Sequence, residues 1–95
     1  MIILLARFKS SLSDAEVLRI MHDRAPSFRA IPGLVQKNYI KDRETGEHGG
    51  MYFWDSDKSM AEYKKSELAT TIAEAYQTVG PPRVDIMDLL FPLRG

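Results

Sequence analysis

Met51-Tyr52-Phe53-Trp54 is a run of four large apolar or aromatic residues that stops abruptly at Asp55-Ser56-Asp57. Such a run has high strand propensity and reads as a short strand buried on both faces. Gly49 and Gly50 precede it, residues that tolerate backbone angles closed to others. The oxygen-bearing side chains after Trp54 suit a helix N-cap, and Met60 and Tyr63 then follow at helical spacing. A strand therefore runs straight into a helix with Trp54 at the junction. Trp54, Tyr52 and Tyr63 either line a cavity between sheet and helix or fill an ordinary core, and the pattern leaves both open.

The elements on either side complete a repeating order. Ile2 to Lys9 reads as a first strand, apolar on both faces at its start. Ser13 and Glu16 have the form of a capping box, followed by Ala15, Leu18, Met21, Ala25 and Phe28 at helical spacing up to about Arg29, with Pro26 late in the helix. Ile31-Pro32-Gly33 is a turn, and Leu34 to Lys41 is a second strand with Leu34, Gln36, Asn38 and Ile40 on one face and Val35, Lys37, Tyr39 and Lys41 on the other. The polar run Asp42 to His48 reads as a hairpin connection, so the strand from Met51 pairs antiparallel with the second. The second helical region begins near Ser56 and has a break expected at Ser66. A stripe of Leu68, Ile72, Ala75 and Val79 follows, and Gly80-Pro81-Pro82 stops it. A last strand spans Arg83 to about Phe91.

Strand, helix, strand, strand, helix, strand is the α+β ferredoxin-like βαββαβ order, an antiparallel sheet with its helices on one face, in a single domain over residues 1–95. Two helical regions cover one sheet face only. The first, third and last strands nevertheless carry apolar residues on both sides, so a monomer would expose a contiguous apolar patch. A second copy packed sheet against sheet removes it, and the pattern predicts a homodimer.

Composition narrows the function. Thirteen basic and thirteen acidic side chains cancel and are interspersed along the chain, which argues against nucleic-acid and anionic-membrane partners. With no cysteine there is no disulfide framework, thiolate metal site or thiol nucleophile, and the short apolar start has no basic residue before it, so a cytoplasmic location is expected. No glycine-rich phosphate loop and no nucleophile elbow occurs. His22 and His48 have no partners at metal-ligand spacing. His48 reads as a solvated turn residue, while His22, at the margin of the first helix's apolar stripe, is either a helix-edge histidine or a general base facing the sheet. Lys37, Asn38 and Tyr39 beside Tyr52 and Trp54 put polar groups next to aromatic walls, which suits a flat, partly apolar ligand; solvated lysines over interface aromatics is the competing reading. Arg7 either adds a cation to that cavity or pairs with Asp85 or Asp88.

Ile31-Pro32-Gly33-Leu34, Lys37, Tyr39, Gly49-Gly50, Met51-Tyr52-Phe53-Trp54 and Asp57-Lys58-Ser59 with Tyr63 together resemble the YdhR-like monooxygenase family, within the dimeric alpha-beta barrel superfamily that includes the antibiotic-biosynthesis monooxygenases. The resemblance implies a homodimeric barrel with a pocket between each sheet and its helices, and a cofactor-independent oxygenation of a small phenolic or quinol-type compound. On this reading Tyr52, Trp54 and Tyr63 form the aromatic wall, Tyr39 and Asn38 hydrogen-bond the substrate oxygens, and Lys37 or His22 accepts or stabilises the phenolic proton. Alternation puts Asn38 opposite Lys37 and Tyr39 unless a bulge intervenes, and the Lys37 face is favoured because the matching residues include it. No cofactor is expected. Haem-degrading members of the superfamily use a histidine in the second helical region, and Ser66 to Val79 contains none. A non-catalytic pocket for a small metabolite, and a structural dimer whose aromatics are all core, are the alternatives.

Overall fold

The computed structural model describes all 95 residues, Met1–Gly95. Four strands, β1 (Ile2–Phe8), β2 (Leu34–Lys41), β3 (His48–Trp54) and β4 (Arg83–Asp88), form one sheet in the order β2-β3-β1-β4, with every neighbouring pair antiparallel. Helix α1 (Asp14–Arg29) joins β1 to β2, and three short helices, α2 (Asp57–Lys65), α3 (Glu67–Thr70) and α4 (Ile72–Tyr76), join β3 to β4. This is the ferredoxin-like arrangement, with helices on one face of the sheet.

Local chemistry sets the ends of the elements. The Ser13 hydroxyl accepts from the Glu16 amide while the Glu16 carboxylate accepts from the Ser13 amide, a complete capping box. Ser56 caps α2 through the Ser59 amide. Ser66 ends α2 in an extended conformation and caps α3, so the second helical region breaks where its sequence indicated. Gly33 turns the chain at φ +83°, and a Cβ there would lie 2.1 Å from Ser59 Oγ, so the Pro32-Gly33 turn packs on the start of α2 in a way only glycine permits.

Several expectations are corrected. The stripe of α1 that reaches the core is Val17, Met21 and Phe28, and Leu18 is 55% exposed. Helix α4 ends at Tyr76, with Gln77 left-handed at φ 47°, so Val79 falls outside the helix and is 59% exposed. β3 begins at His48 and β4 ends at Asp88, leaving Phe91 76% exposed beyond it. Gly49 and Gly50 lie within β3, and neither has a positive φ.

On the helix side, Leu4, Ala6 and Phe8 of β1 meet two buried clusters. One joins Leu4 and Ala6 to Phe28, Tyr52, Trp54, Met60 and Tyr63; the other joins Phe8 to Val17, Met21 and Tyr76. The opposite sheet face has no helix over it. No helix is long and apolar enough to cross a membrane.

Candidate functional site

A cavity of about 350 Å³ opens between the two core clusters, under α1, α2 and α4 and above the sheet. Twelve of its seventeen lining residues are hydrophobic, among them Leu4, Phe8, Met21 and Phe28. All four tyrosines of the chain, Tyr39, Tyr52, Tyr63 and Tyr76, face it. Its only charged lining residues are Lys37 and, on the exposed side of α2, Lys64; no carboxylate lines it.

A β-bulge sets what β2 contributes. Leu34 pairs with Trp54, Gln36 with Phe53, Lys37 with Tyr52 and Tyr39 with Gly50, so the register shifts between Leu34 and Gln36. The extra residue moves Lys37 and Tyr39 onto the same face as Leu34, the helix face, and turns Gln36 and Asn38 away from it. Lys37 then crosses above Gly50, where a Cβ would stand 2.9 Å from Lys37 Cε and 3.0 Å from Tyr52 Cε1. The glycine serves here as space rather than as a flexible hinge.

Lys37 ends among rings. Its Nζ lies 3.4 Å from the Phe28 ring centroid, 4.4 Å from that of Tyr39 and 4.5 Å from that of Tyr52. It forms no ion pair. Ring faces attract a cation, but they do not replace its lost hydration, so burial, aided by the nearby Arg24 guanidinium, lowers the lysine to about 7. Burial raises all four tyrosines, Tyr76 to about 12. They remain neutral hydroxyls across the physiological range. Tyr63 donates to the Tyr52 hydroxyl at 3.2 Å, linking helix α2 to strand β3 across the cavity.

Arg24 holds the helical side in place. Its Nη2 donates to the Leu68 carbonyl at 2.8 Å and to Thr71 Oγ1 at 3.3 Å, tying α1 to α3, while its guanidinium carbon lies 6.0 Å from the Phe28 ring centroid and 5.9 Å from that of Tyr76. At the far end Phe8 packs on Tyr76 at 4.6 Å and stacks on His48 at 6.4 Å. His48 is not a solvated turn residue: its side chain is 12% exposed, with Nε2 3.4 Å from Asp14 Oδ1. Arg7 lies on the uncovered face, with Asp42 at 3.8 Å and Asp85 at 3.7 Å, and takes no part in the cavity.

The structure therefore brings together Lys37, Tyr39, Tyr52 and Tyr63 from the residues singled out in the sequence. Trp54 is fully buried and does not touch the cavity; it backs the wall, with ring centroids 6.2 Å from Tyr52 and 5.1 Å from Tyr63. His22 is exposed on α1, and Asn38 is exposed opposite Met51 on the far face of the sheet, so neither reaches the cavity. Tyr76 and Phe28 complete the lining without having been singled out for it. The four-residue step from Ile72 to Tyr76 is the signal that marks Tyr76 as inward-facing. No three His, Cys, Asp or Glu side chains gather as metal ligands anywhere in the chain.

Residues 3–88 match the family described as "Putative mono-oxygenase ydhR". The chain belongs to that family. Membership supports a monooxygenase-like role for the ydhR fold seen here. No curated protein matches the chain. Among solved structures it is similar to SnoaB, a cofactor-independent oxygenase from Streptomyces nogalater, at 14% identity over 99% of this chain and 97% of that one, with a TM-score of 0.77. It is also similar to Rv0793 from Mycobacterium tuberculosis, at 15% identity over 97% of each chain and a TM-score of 0.76. A protein of unknown function from Nitrosomonas europaea, NE2512, superposes with a TM-score of 0.79 at 16% identity, covering 96% of this chain and 90% of its own. Likeness at these identities establishes a shared fold.

Proposed function

We propose that the cavity is the oxygenation site of a cofactor-independent monooxygenase for small phenolic or quinol-type aromatics, and that the protein works as a homodimer. The observation that carries this reading is Lys37: an amine with no ion-pair partner, held among three rings in an apolar cavity of ligand size. A phenol in water has a pKa near that of tyrosine, about 10. Beside an ammonium in a dry cavity its phenolate gains a strong Coulombic partner, and the lysine in turn gains a counter-ion that no side chain lining the cavity supplies. Proton transfer from phenol to Lys37 then satisfies both groups.

The phenolate is electron-rich enough to reduce dioxygen itself. One electron passes to O2, the resulting superoxide and ring-centred radical join in a C–O bond, and the hydroperoxide forms with a proton returned by Lys37. Loss of that carbon's hydrogen and cleavage of the O–O bond release water and leave a quinone carbonyl, so one oxygen atom enters the substrate and the other leaves as water. Tyr39, Tyr52 and Tyr63 line the same cavity, and in this mechanism their hydroxyls hydrogen-bond the substrate oxygens while the apolar walls exclude water from the radical pair.

The test is oxygen uptake by metal-free protein with a panel of hydroquinones and polycyclic phenols, autoxidation subtracted, with Lys37→Met in parallel. Uptake in the native protein that falls by about 10²-fold or more in the variant is expected for loss of a positioned base. Equal uptake in both removes Lys37 from the mechanism. Quenching of Trp54 fluorescence by the same compounds, with no uptake, supports a non-catalytic binding protein instead.

A further inference from the structure

The environment of Lys37 supports a second kind of chemistry that does not depend on oxygen. The other five lysines, at 9, 41, 58, 64 and 65, are all exposed. Lys37 alone is enclosed, its Nζ within 4.5 Å of three ring centroids and its cavity free of any carboxylate that would hold it as an ammonium. A lysine desolvated in an apolar pocket is the setting in which an amine becomes a nucleophile towards carbonyl carbon. The cavity also supplies tyrosine hydroxyls, which remain protonated and can donate to a carbonyl oxygen.

We propose that Lys37 is a carbonyl-reactive amine and that the cavity captures small aromatic aldehydes as reversible imines. The Lys37 lone pair attacks the aldehyde carbon, forming a C–N bond as the carbonyl π pair moves to oxygen. A proton passes from nitrogen to that oxygen, giving a carbinolamine. Departure of the hydroxyl with a second proton from nitrogen releases one water and leaves a C=N bond. Atoms and electrons balance with no oxidant or reductant. The aldehyde is specified as aromatic because Phe28, Tyr39 and Tyr52 surround the nitrogen with ring faces, and most of the remaining wall is aliphatic or aromatic.

At pH 7 an ordinary lysine, with a pKa near 10.4, holds less than about 0.1% neutral amine. Lys37, lowered to about 7, is half neutral there. Incubating the native protein under nitrogen with benzaldehyde and cyanoborohydride at pH 7, then mapping peptides by mass spectrometry, reads the site directly. Reductive benzylation of Lys37 at least about tenfold faster than at any exposed lysine is expected from that difference in neutral amine. Labelling of Lys37 no faster than of the exposed lysines overturns the proposal. In Lys37→Met and Lys37→Arg, checked for native circular dichroism, every remaining lysine is expected to label at the slow rate, with the Met1 α-amine, whose ordinary pKa is near 8, read separately in its own peptide. A lysine that still labels fast in a folded variant also overturns the assignment. Because the reaction excludes oxygen, it can succeed where the oxygenase reading fails, and fail where that reading holds.

Discussion

Lys37 Nζ, carried by β2, lies 3.4 Å from the centroid of the Phe28 ring, carried by α1. This contact joins sheet to helix through an amine whose burial disfavours its charged form. Around Lys37 stand Arg24 from α1, Tyr39 and Tyr52 from the sheet, Tyr63 and Lys64 from α2 and Tyr76 from α4; none can supply a negative charge near neutrality.

A dependence of stability on pH follows. Below about 7 Lys37 is protonated in both folded and unfolded chains, and the cost of burying the charge is present in full. Between about 7 and its ordinary value of 10.5 the unfolded chain holds the proton and the folded chain has released it, so stability rises with pH. The tyrosines act in the opposite sense. Their raised folded values mean that above their ordinary 10.0 the folded chain keeps protons the unfolded chain loses, and stability falls. Urea unfolding is expected to show greater stability at pH 9 than at pH 7. Lys37→Met removes the buried charge at similar volume, and should stabilise the protein at pH 7 by about 1–2 kcal/mol while flattening that rise, a gain of the size usual where function holds a strained group in place. A variant less stable at pH 7 would contradict this account of the site.

Gly50→Ala tests the space that Lys37 occupies. A methyl group there meets Lys37 Cε at 2.9 Å and the edge of the Tyr52 ring at 3.0 Å, closer than ordinary carbon contacts. The lysine stem is the flexible partner, so it moves first. The variant is expected to remain folded, to lose about 1–3 kcal/mol through overpacking, and to bind phenols more weakly by tryptophan quenching. Unchanged quenching would show that the path of Lys37 over β3 does not matter for binding.

Much of this arrangement could be read from the chain. Ser13 with Glu16, the Ser56 cap, the break at Ser66 and the alternation of Lys37 with Asn38 are local signals, and local chemistry produced them. Features set by packing between distant segments leave no such local signal. Of the α1 stripe Ala15, Leu18, Met21, Ala25 and Phe28, the core buries Met21 and Phe28 but takes Val17 in place of Leu18, which is exposed, and this turn of the helix leaves His22 facing water. The bulge at Leu34 leaves no mark in composition, yet it brings Leu34 onto the same face as Lys37. Trp54 shares the helix face of β3 with Tyr52, but its depth behind Tyr52 and Tyr63 depends on how α2 closes over the strand.

The hydroxyl pair across the cavity gives a third prediction. Tyr63 and Tyr52 are buried and hydrogen-bonded at 3.2 Å. Replacing either with phenylalanine leaves the other hydroxyl without this partner. A double-mutant cycle of Tyr52→Phe and Tyr63→Phe by denaturant unfolding is expected to give a coupling energy of about 0.5–1.5 kcal/mol, the net worth of a neutral buried hydrogen bond. Strict additivity would mean that the two hydroxyls act independently.

The fourth prediction concerns the sheet face that no helix covers. Across it, Phe53 lies level with Ile3 and Met87, and the next row brings Met51 against Leu5, so an apolar band crosses β3, β1 and β4. Gln36, Asn38 and Asp85 flank the band, and Arg7 with its two aspartates closes one end. An apolar centre inside a polar rim is the anatomy of a protein interface, and a band of this kind left in water would promote indiscriminate association. Two such faces packed together would bury both bands and make the sheets the middle layers of a four-layer dimer, with each cavity on the outer side of its own sheet. Light scattering after gel filtration is expected to give twice the 10.8 kDa chain mass for the native protein. Phe53→Asp places a carboxylate at the centre of the band, where burial in the dimer would leave it unpaired, and should yield monomers or aggregates. Since Phe53 points away from the cavity, any folded monomer recovered should retain a ligand-sized pocket, and its phenol binding would show whether the dimer contributes to the site or only to stability. A native protein that elutes as a monomer at micromolar concentration would remove the dimer from the proposal.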